Sequence, residues 1–185
     1  MESLARGFFY PSYFYNVTLK SLGLREWYNQ INDNIILGAL PSNKTASEIK
    51  EKYNVTHLLT LNEDHELGAF YVNQNTLEKL NINVERVTIC DFVGVPPISD
   101  INKGADFIKR VVEDEKGVVY VHCKAGRSRS SMILGAYFIK HKKMSCKEAY
   151  DFLKSKRSVV AWHDMHWRVL SEFEKQEVFR NGDQD

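Results

Sequence analysis

The residues best suited to catalysis lie between His122 and Ser130, in the run His-Cys-Lys-Ala-Gly-Arg-Ser-Arg-Ser. They follow an apolar run, Gly117–Val121, that is typical of a buried parallel strand, and they precede a helical pattern from about Arg127 to Lys142. A tight loop that enters a helix N-terminus turns backbone N–H groups inward, where the helix dipole adds positive potential. The sequence therefore predicts a loop that binds a tetrahedral dianion such as phosphate.

Within this loop, Cys123 is the candidate nucleophile. The field of the loop lowers a thiol pKa from about 8.5 towards about 3.5–7.5, so that a thiolate is available to attack phosphorus. Arg129 carries a planar fork that can hold two phosphoryl oxygens, and Ser130 can donate a hydrogen bond to the sulfur. A buried structural cysteine beside a solvated basic loop is the alternative interpretation. The predicted phosphate-binding residues are Lys124, Ala125, Gly126, Arg127, Ser128 and Arg129, with Gly126 permitting the turn.

The expulsion of an alkoxide leaving group requires a proton donor. Asp91 opens a loop after the predicted strand Val84–Ile89 and is the candidate general acid, although a solvated loop carboxylate is the alternative. His122 is expected to orient the loop through hydrogen bonds rather than to act as an acid or base.

Composition limits the class of protein. The 185 residues suit one domain, and 43% hydrophobic and 26% charged residues are ordinary for a soluble globular chain. A net charge of +1 does not favour nucleic-acid binding. Three widely spaced cysteines favour a reducing compartment over a disulfide framework. The pair His163 and His166 is too small a ligand set for structural zinc, so we expect no metal and no cofactor.

Strand patterns alternate with helix patterns, which predicts a single α/β domain with a mostly parallel central sheet and helices on both faces. Capping boxes at Thr45-x-x-Glu48 and Ser145-x-x-Glu148 predict helix starts, and Ser99 is predicted to cap a helix over Asp100–Glu115. A last helix is expected from about Asp164 to Phe179. The predicted strands are Ile35–Leu37, Val55–Leu61, Val84–Ile89 and Gly117–Val121.

We divide the chain into an N-terminal aromatic segment (1–24), a catalytic domain (25–180) and a polar tail (181–185). Residues 7–17 hold six aromatic side chains, but the stretch is too short and too polar to span a bilayer. Two interpretations stay open. The segment is an organellar address or interfacial anchor, or it packs on the core of its own domain.

The run His122–Ser130 resembles the signature loop of the cysteine-dependent protein tyrosine phosphatases of the dual-specificity branch. Further blocks make the chain similar to the mitochondrial protein-tyrosine-phosphatase-like phosphatidylglycerophosphate phosphatases. These blocks are Leu4–Arg6, Phe9–Pro11, Arg25–Tyr28, Leu37–Pro41 and Asn62–Glu66.

The resemblance implies roles for two loops. Asp91 precedes Cys123 by a separation similar to that of the general acid in this branch. Asn62–Glu66 matches an acidic motif near the active site, in which Glu63 and Glu66 are expected to brace Arg127 or Arg129. Because Asp64 and His65 replace a Glu and a Tyr of the motif, a solvated acidic turn is the alternative.

The resemblance also implies the reaction, which is hydrolysis of phosphatidylglycerophosphate through a phosphocysteine intermediate. It further implies that this reaction takes place on the matrix side of the inner mitochondrial membrane and is a step towards cardiolipin. The extra cations Lys124 and Arg127 favour a multiply anionic substrate, and the net charge of +5 over Lys140–Arg157 favours contact with an anionic membrane. We expect a monomer that binds an anionic phospholipid and makes peripheral membrane contact. The alternatives are a dual-specificity protein phosphatase and a non-catalytic phosphate-binding module.

Overall fold

The structure is a computed structural model that describes residues 2–90 and 96–182. Within these residues the fold is built around five strands, which are Tyr28–Asn32 (β1), Ile35–Gly38 (β2), His57–Thr60 (β3), Asn83–Arg86 (β4) and Val119–His122 (β5). They form one sheet with the order β1-β2-β5-β3-β4. Strand β1 is antiparallel to β2, whereas the other neighbouring strands are parallel, as helical crossover connections require.

Helices cover both faces of the sheet, which confirms the predicted fold class. In the central strands, alternate side chains enter opposite layers, because successive side chains of a strand point to opposite faces. Val119 and Val121 belong to one buried hydrophobic cluster, whereas Tyr120 belongs to another. The helices are Glu2–Ser21 (α1), Asn43–Tyr53 (α2), Gln74–Lys79 (α3), Ile98–Lys109 (α4), Arg129–Lys142 (α5), Cys146–Lys156 (α6) and Asp164–Gly182 (α7). Residues of α4, α5, α6 and α7 complete the first cluster, and residues of α2 and α3 complete the second.

The helix starts correct two sequence predictions and confirm a third. Helix α2 is capped by Ser42, whose side chain accepts a hydrogen bond from Thr45 N, so Thr45 is not the cap. Extended backbone at Ser42, with φ −84° and ψ 173°, places its hydroxyl over the first turn. Ser99 is also not a cap, because α4 already begins after Pro97, whose fixed φ suits a helix entrance. The capping box at Ser145 is confirmed.

Two helix ends also differ from prediction. The helix that begins at Ile98 does not continue as a regular α-helix to residue 115, because a π-helical turn, Arg110–Asp114, follows Lys109. Helix α7 continues to Gly182, past the predicted end at 179. Residues 183–185 of the predicted polar tail lie outside the described residues.

The N-terminal aromatic segment forms helix α1, and one side of this helix packs on the domain. Tyr13 is buried, stacks on Phe70 at a ring separation of 4.6 Å and contacts the edge of Trp27 at 6.1 Å. The interpretation of this segment as part of the domain core is therefore correct for Tyr13. In the part of the chain that the structure describes, no helix has the length and apolar character needed to cross a bilayer.

Candidate active site

The signature loop lies at the carboxyl end of the central strand β5 and leads into α5, as the sequence predicts. Its tight turn depends on Gly126, whose φ is +62°. A Cβ at this position would lie 2.4 Å from the carbonyl carbon and oxygen of Gly38, at the end of the neighbouring strand β2. Only glycine combines this backbone conformation with so close an approach.

Cys123 lies at the bottom of the loop and is only 3% exposed. Its Sγ is 3.3 Å from the Ser130 hydroxyl oxygen. Burial by itself raises a thiol pKa, but the charge of Arg129 and hydrogen bonds from the Ser130 hydroxyl and from loop amides together hold the pKa of Cys123 below its usual value. The amides are those of Ser130 and Arg127. The site therefore favours a thiolate.

Arg129 is brought beside the thiol, because the loop curls back as it enters α5. Its guanidinium is held by Glu66, with Nη1 2.7 Å from one carboxylate oxygen and Nη2 2.9 Å from the other. Nη1 also donates to the carbonyl of Ile89 at 3.0 Å. Both partners are almost fully buried. A bidentate pair fixes the plane of a guanidinium, so Arg129 is preorganised for phosphoryl oxygens.

Glu66 belongs to a short 3₁₀ turn, Asp64–Glu66, which follows β3. Burial raises the pKa of this carboxyl, but the hydrogen bonds and charge of Arg129, with the amide of Glu63, hold it below its usual value. The sequence-based expectation that Glu66 braces Arg129 therefore agrees with the geometry. Glu63 lies beside it, and its carboxylate accepts a hydrogen bond from the thiol of Cys90 at 3.1 Å.

Two carbonyls of the loop, those of Ala125 and Gly126, are held by arginines that sequence reasoning did not assign to the site. Arg157 Nε donates to the carbonyl of Gly126 at 2.8 Å, and Arg25 Nη2 donates to the carbonyl of Ala125 at 2.9 Å. Because a peptide group points its N–H opposite to its C=O, this arrangement leaves loop amides facing the anion site.

Arg157 also corrects a sequence prediction. The sequence predicts a basic surface over residues 140–157 that includes Arg157, but this residue is 1% exposed and lies behind the loop. Burial lowers its pKa to about 10, so it stays charged at neutral pH. In the same stretch, Lys140 pairs with Asp106 and Lys142 pairs with Glu113. The expected patch is thus partly neutralised by the fold. No local pattern reveals the role of Arg157, because Gly126 lies 31 residues away.

His122 is fully buried at the end of β5, and burial lowers the pKa of its ring to about 3. The ring is therefore neutral at physiological pH. Its Nε2 lies 2.9 Å from Thr60 Oγ1, which in turn lies 3.1 Å from the hydroxyl of Tyr71. These contacts agree with the expected orienting role, and a neutral buried imidazole is poorly suited to acid–base catalysis.

A cavity of about 550 Å³ opens above the loop. Its lining brings together four cationic residues, Arg25, Lys124, Arg127 and Arg129. Arg127 is exposed at the mouth, whereas Lys124 is only 6% exposed. Ser128 also lines the cavity. The candidate general acid, Asp91, lies outside the described residues. The described residues contain no group of three or more side chains arranged to hold a metal ion.

A buried thiol beneath inward-facing amides, with a fixed arginine beside it, is the site of a cysteine-dependent phosphatase. The chain belongs to the dual-specificity phosphatase family, whose catalytic-domain model matches residues 35–176. It is therefore an enzyme that hydrolyses phosphomonoesters.

Within this family the chain is similar to two named groups of relatives. It is 32% identical to human phosphatidylglycerophosphatase and protein-tyrosine phosphatase 1, over 94% of this chain and 87% of that protein. It is 33% identical to phosphatidylglycerophosphate phosphatase PTPMT2 of Arabidopsis thaliana, over 90% of this chain and 72% of that protein. A crystal structure of PTPMT1 in complex with PI(5)P superposes on this chain with a TM-score of 0.78 and 31% sequence identity. The superposition covers 84% of this chain and 99% of the PTPMT1 chain.

Proposed function

We propose that this protein is a phosphatidylglycerophosphate phosphatase, which removes the terminal phosphate of the lipid head group to leave phosphatidylglycerol. The observation that carries the proposal is the cavity with four cationic residues around one thiol. The substrate has a phosphomonoester to be cleaved and a phosphodiester that stays. Arg129 and the loop amides can bind the phosphomonoester, and the cations nearer the mouth, Arg25 and Arg127, can bind the phosphodiester.

In the first step the thiolate of Cys123 attacks phosphorus. A P–S bond forms while the P–O bond to the glycerol breaks, and Arg129 holds the equatorial oxygens as charge develops. Asp91 gives its proton to the departing glycerol oxygen, a role that rests on the position of this residue in the sequence. The product is a phosphocysteine and free phosphatidylglycerol.

In the second step water attacks the phosphocysteine. The carboxylate of Asp91 takes a proton from that water, the P–S bond breaks, and inorganic phosphate leaves. The Ser130 hydroxyl, 3.3 Å from Sγ, donates to the departing thiolate. The enzyme returns to its starting state with Asp91 protonated and Cys123 ionised, so the cycle needs no metal or organic cofactor.

The cellular setting follows from the same proposal. We place the enzyme at the matrix side of the inner mitochondrial membrane, as a monomer in peripheral contact with the bilayer and on the route to cardiolipin. The similarity of the chain to phosphatidylglycerophosphatases supports the mitochondrial part of this assignment.

The test compares two substrates under the same conditions, phosphatidylglycerophosphate in detergent micelles and a set of phosphotyrosine and phosphothreonine peptides. We expect a higher kcat/KM on the lipid. Cys123→Ser is expected to abolish both activities, and Cys146→Ser, at a buried cysteine of α6, is the matched control that retains them. Much faster peptide turnover would instead identify a dual-specificity protein phosphatase, and no Cys123-dependent phosphate release would leave a phosphate-binding module.

A further inference from the structure

The exposed apolar side chains of this protein are concentrated in one segment. Of the six large hydrophobic residues that are exposed among the described side chains, five lie between positions 10 and 24. We call these five residues the apolar rim; they are Tyr10, Phe14, Tyr15, Leu22 and Leu24, with exposures of 54%, 52%, 64%, 65% and 71%. Such a concentration is unusual on a soluble surface and marks an interaction site.

The apolar rim is held in place by the packing of α1. Tyr13, on the inner side of the helix, stacks on Phe70, and Phe14 meets the edge of the same ring at 5.7 Å. Tyr10 contacts that ring at 6.2 Å. Because these three contacts anchor α1, the exposed rings of Tyr10 and Phe14 have a fixed position relative to the domain.

The apolar rim is also continuous with the active-site cavity. Tyr15 lines that cavity together with its neighbour Asn16, which accepts a hydrogen bond from Arg25. Arg25 in turn donates to the Ala125 carbonyl of the signature loop. The exposed apolar surface therefore begins at the mouth of the cavity that contains the thiol.

We propose that the apolar rim docks the enzyme on the surface of an anionic phospholipid bilayer, with the mouth of the cavity facing the lipid head groups. The proposal rests on the proposed function, because it assumes a substrate whose acyl chains stay in the bilayer. The thiol of Cys123 is 3% exposed, so the phosphate must leave the plane of the head groups and enter the cavity. A cavity mouth that lies against the membrane lets the phosphate enter while the acyl chains stay in the bilayer.

The chemistry of the apolar rim suits a bilayer surface better than a protein partner. Tyrosine rings with one apolar side and one polar tip are enriched at membrane–water interfaces. Exposed cations lie beside the rim, Lys20 on α1 and Arg127 at the mouth of the cavity, and both attract anionic head groups. Exposed aromatic side chains on α1, leucines directly after its end and flanking cations are the residue types that interfacial helices use.

The experiment measures binding of the full-length protein to vesicles of phosphatidylcholine with and without phosphatidylglycerol, by flotation. We expect binding that requires phosphatidylglycerol and weakens with salt. Phe14→Ser with Leu22→Ser removes two side chains of the apolar rim and should weaken binding about tenfold or more. Leu22→Ser with Leu24→Ser gives a second variant that leaves the contact with Phe70 intact. The matched control is Val84→Ser, at an exposed apolar residue on the edge strand β4.

Hydrolysis of p-nitrophenyl phosphate, a soluble ester, should be unchanged in all of these variants, which shows that they fold. Wild-type protein that does not float, or rim variants that float as well as Val84→Ser, would overturn the proposal. So would a wild-type dimer that the rim variants convert to monomer, because a second copy would then cover the surface. A short-chain, water-soluble phosphatidylglycerophosphate tests the proposed function separately, since its hydrolysis needs no bilayer.

Discussion

The carboxylate of Glu66 meets both terminal nitrogens of Arg129, at 2.7 and 2.9 Å, in the interior of the protein. The acid comes from a turn after β3 and the arginine from the first turn of α5, 63 residues apart. The pair therefore links the segment that follows β3 to the segment that follows β5. It fixes the guanidinium that is proposed to hold the transferred phosphoryl group, while the charge of that guanidinium also helps to ionise Cys123.

Glu66→Gln should therefore lower kcat much more than it raises KM. The amide keeps the shape of the side chain but loses its charge, so Arg129 stays buried with a weaker partner and is less well oriented. A loss of about 100-fold in kcat is expected for misplacement of a group that contacts the transition state. Steady-state kinetics on p-nitrophenyl phosphate measure it. Asp64→Asn, in the same turn but at an exposed acid, is the control that should retain activity. An unchanged kcat in Glu66→Gln would show that the brace is dispensable.

The same pair makes stability depend on pH. Because the pKa of Glu66 is lower in the folded than in the unfolded protein, its contribution is present above the unfolded value of about 4.3 and is lost as the pH falls through the folded pKa. The free energy of unfolding of the wild type should therefore fall more steeply below pH ~4.3 than that of Glu66→Gln. Urea denaturation over a series of acidic pH values measures both slopes. Parallel slopes would contradict the assignment.

The two buried cysteines should differ in reactivity. Cys146 begins α6, yet burial raises its pKa to about 11, with a contribution from the charge of Glu174, whereas the pKa of Cys123 is lowered. Alkylation by iodoacetamide at neutral pH should therefore modify Cys123 and spare Cys146. Peptide mass spectrometry over a pH series gives the two profiles. Bound phosphate should protect Cys123, and equal labelling of both residues would show that the loop does not ionise its thiol.

Arg157→Lys should reduce both stability and kcat. Lysine keeps the charge but loses the fork that holds the carbonyls of Gly126 and Ala125, so a buried acceptor is left unpaired at a cost of about 1–3 kcal/mol. The loop amides then lose their fixed direction. The midpoint of urea unfolding and the kcat on p-nitrophenyl phosphate measure the two effects. Lys156→Met, at the exposed neighbour, should change stability by no more than about 0.5 kcal/mol.

Gly126→Ala should inactivate the enzyme. Its φ of +62° costs an L-residue about 1–2 kcal/mol, and the new methyl group would overlap the backbone of Gly38, which cannot move without shifting β2. We expect loss of turnover together with a lower thermal midpoint. Gly68→Ala is the matched control, because a Cβ at Gly68 meets nothing within 4 Å. Normal turnover in Gly126→Ala would mean that the loop adopts another conformation.

Local patterns in the sequence predicted much of the sheet and several helices, but not every element. The central strands were recognised because buried parallel strands are continuous apolar runs, as in Val119–Val121. Strand β1 carries the sequence Tyr-Asn-Gln-Ile-Asn, in which only Ile31 is buried, so it has no clear apolar signal. The sequence also did not predict that α1 is a helix. Its run of aromatic residues fits a targeting or anchoring segment as well as a segment that packs on the domain.

For the site, the sequence by itself determined the signature loop and its position between a strand and a helix, because a phosphate loop depends on residue types at short spacing. It also indicated an acidic turn near the loop. Only the tertiary structure decided which acid meets Arg129, that Arg157 and Arg25 hold the loop carbonyls, and that the exposed side of α1 adjoins the cavity. Those contacts join residues that are 31 to 100 positions apart, so no local or periodic pattern in the sequence indicates them. They form only when the sheet brings its strand ends together.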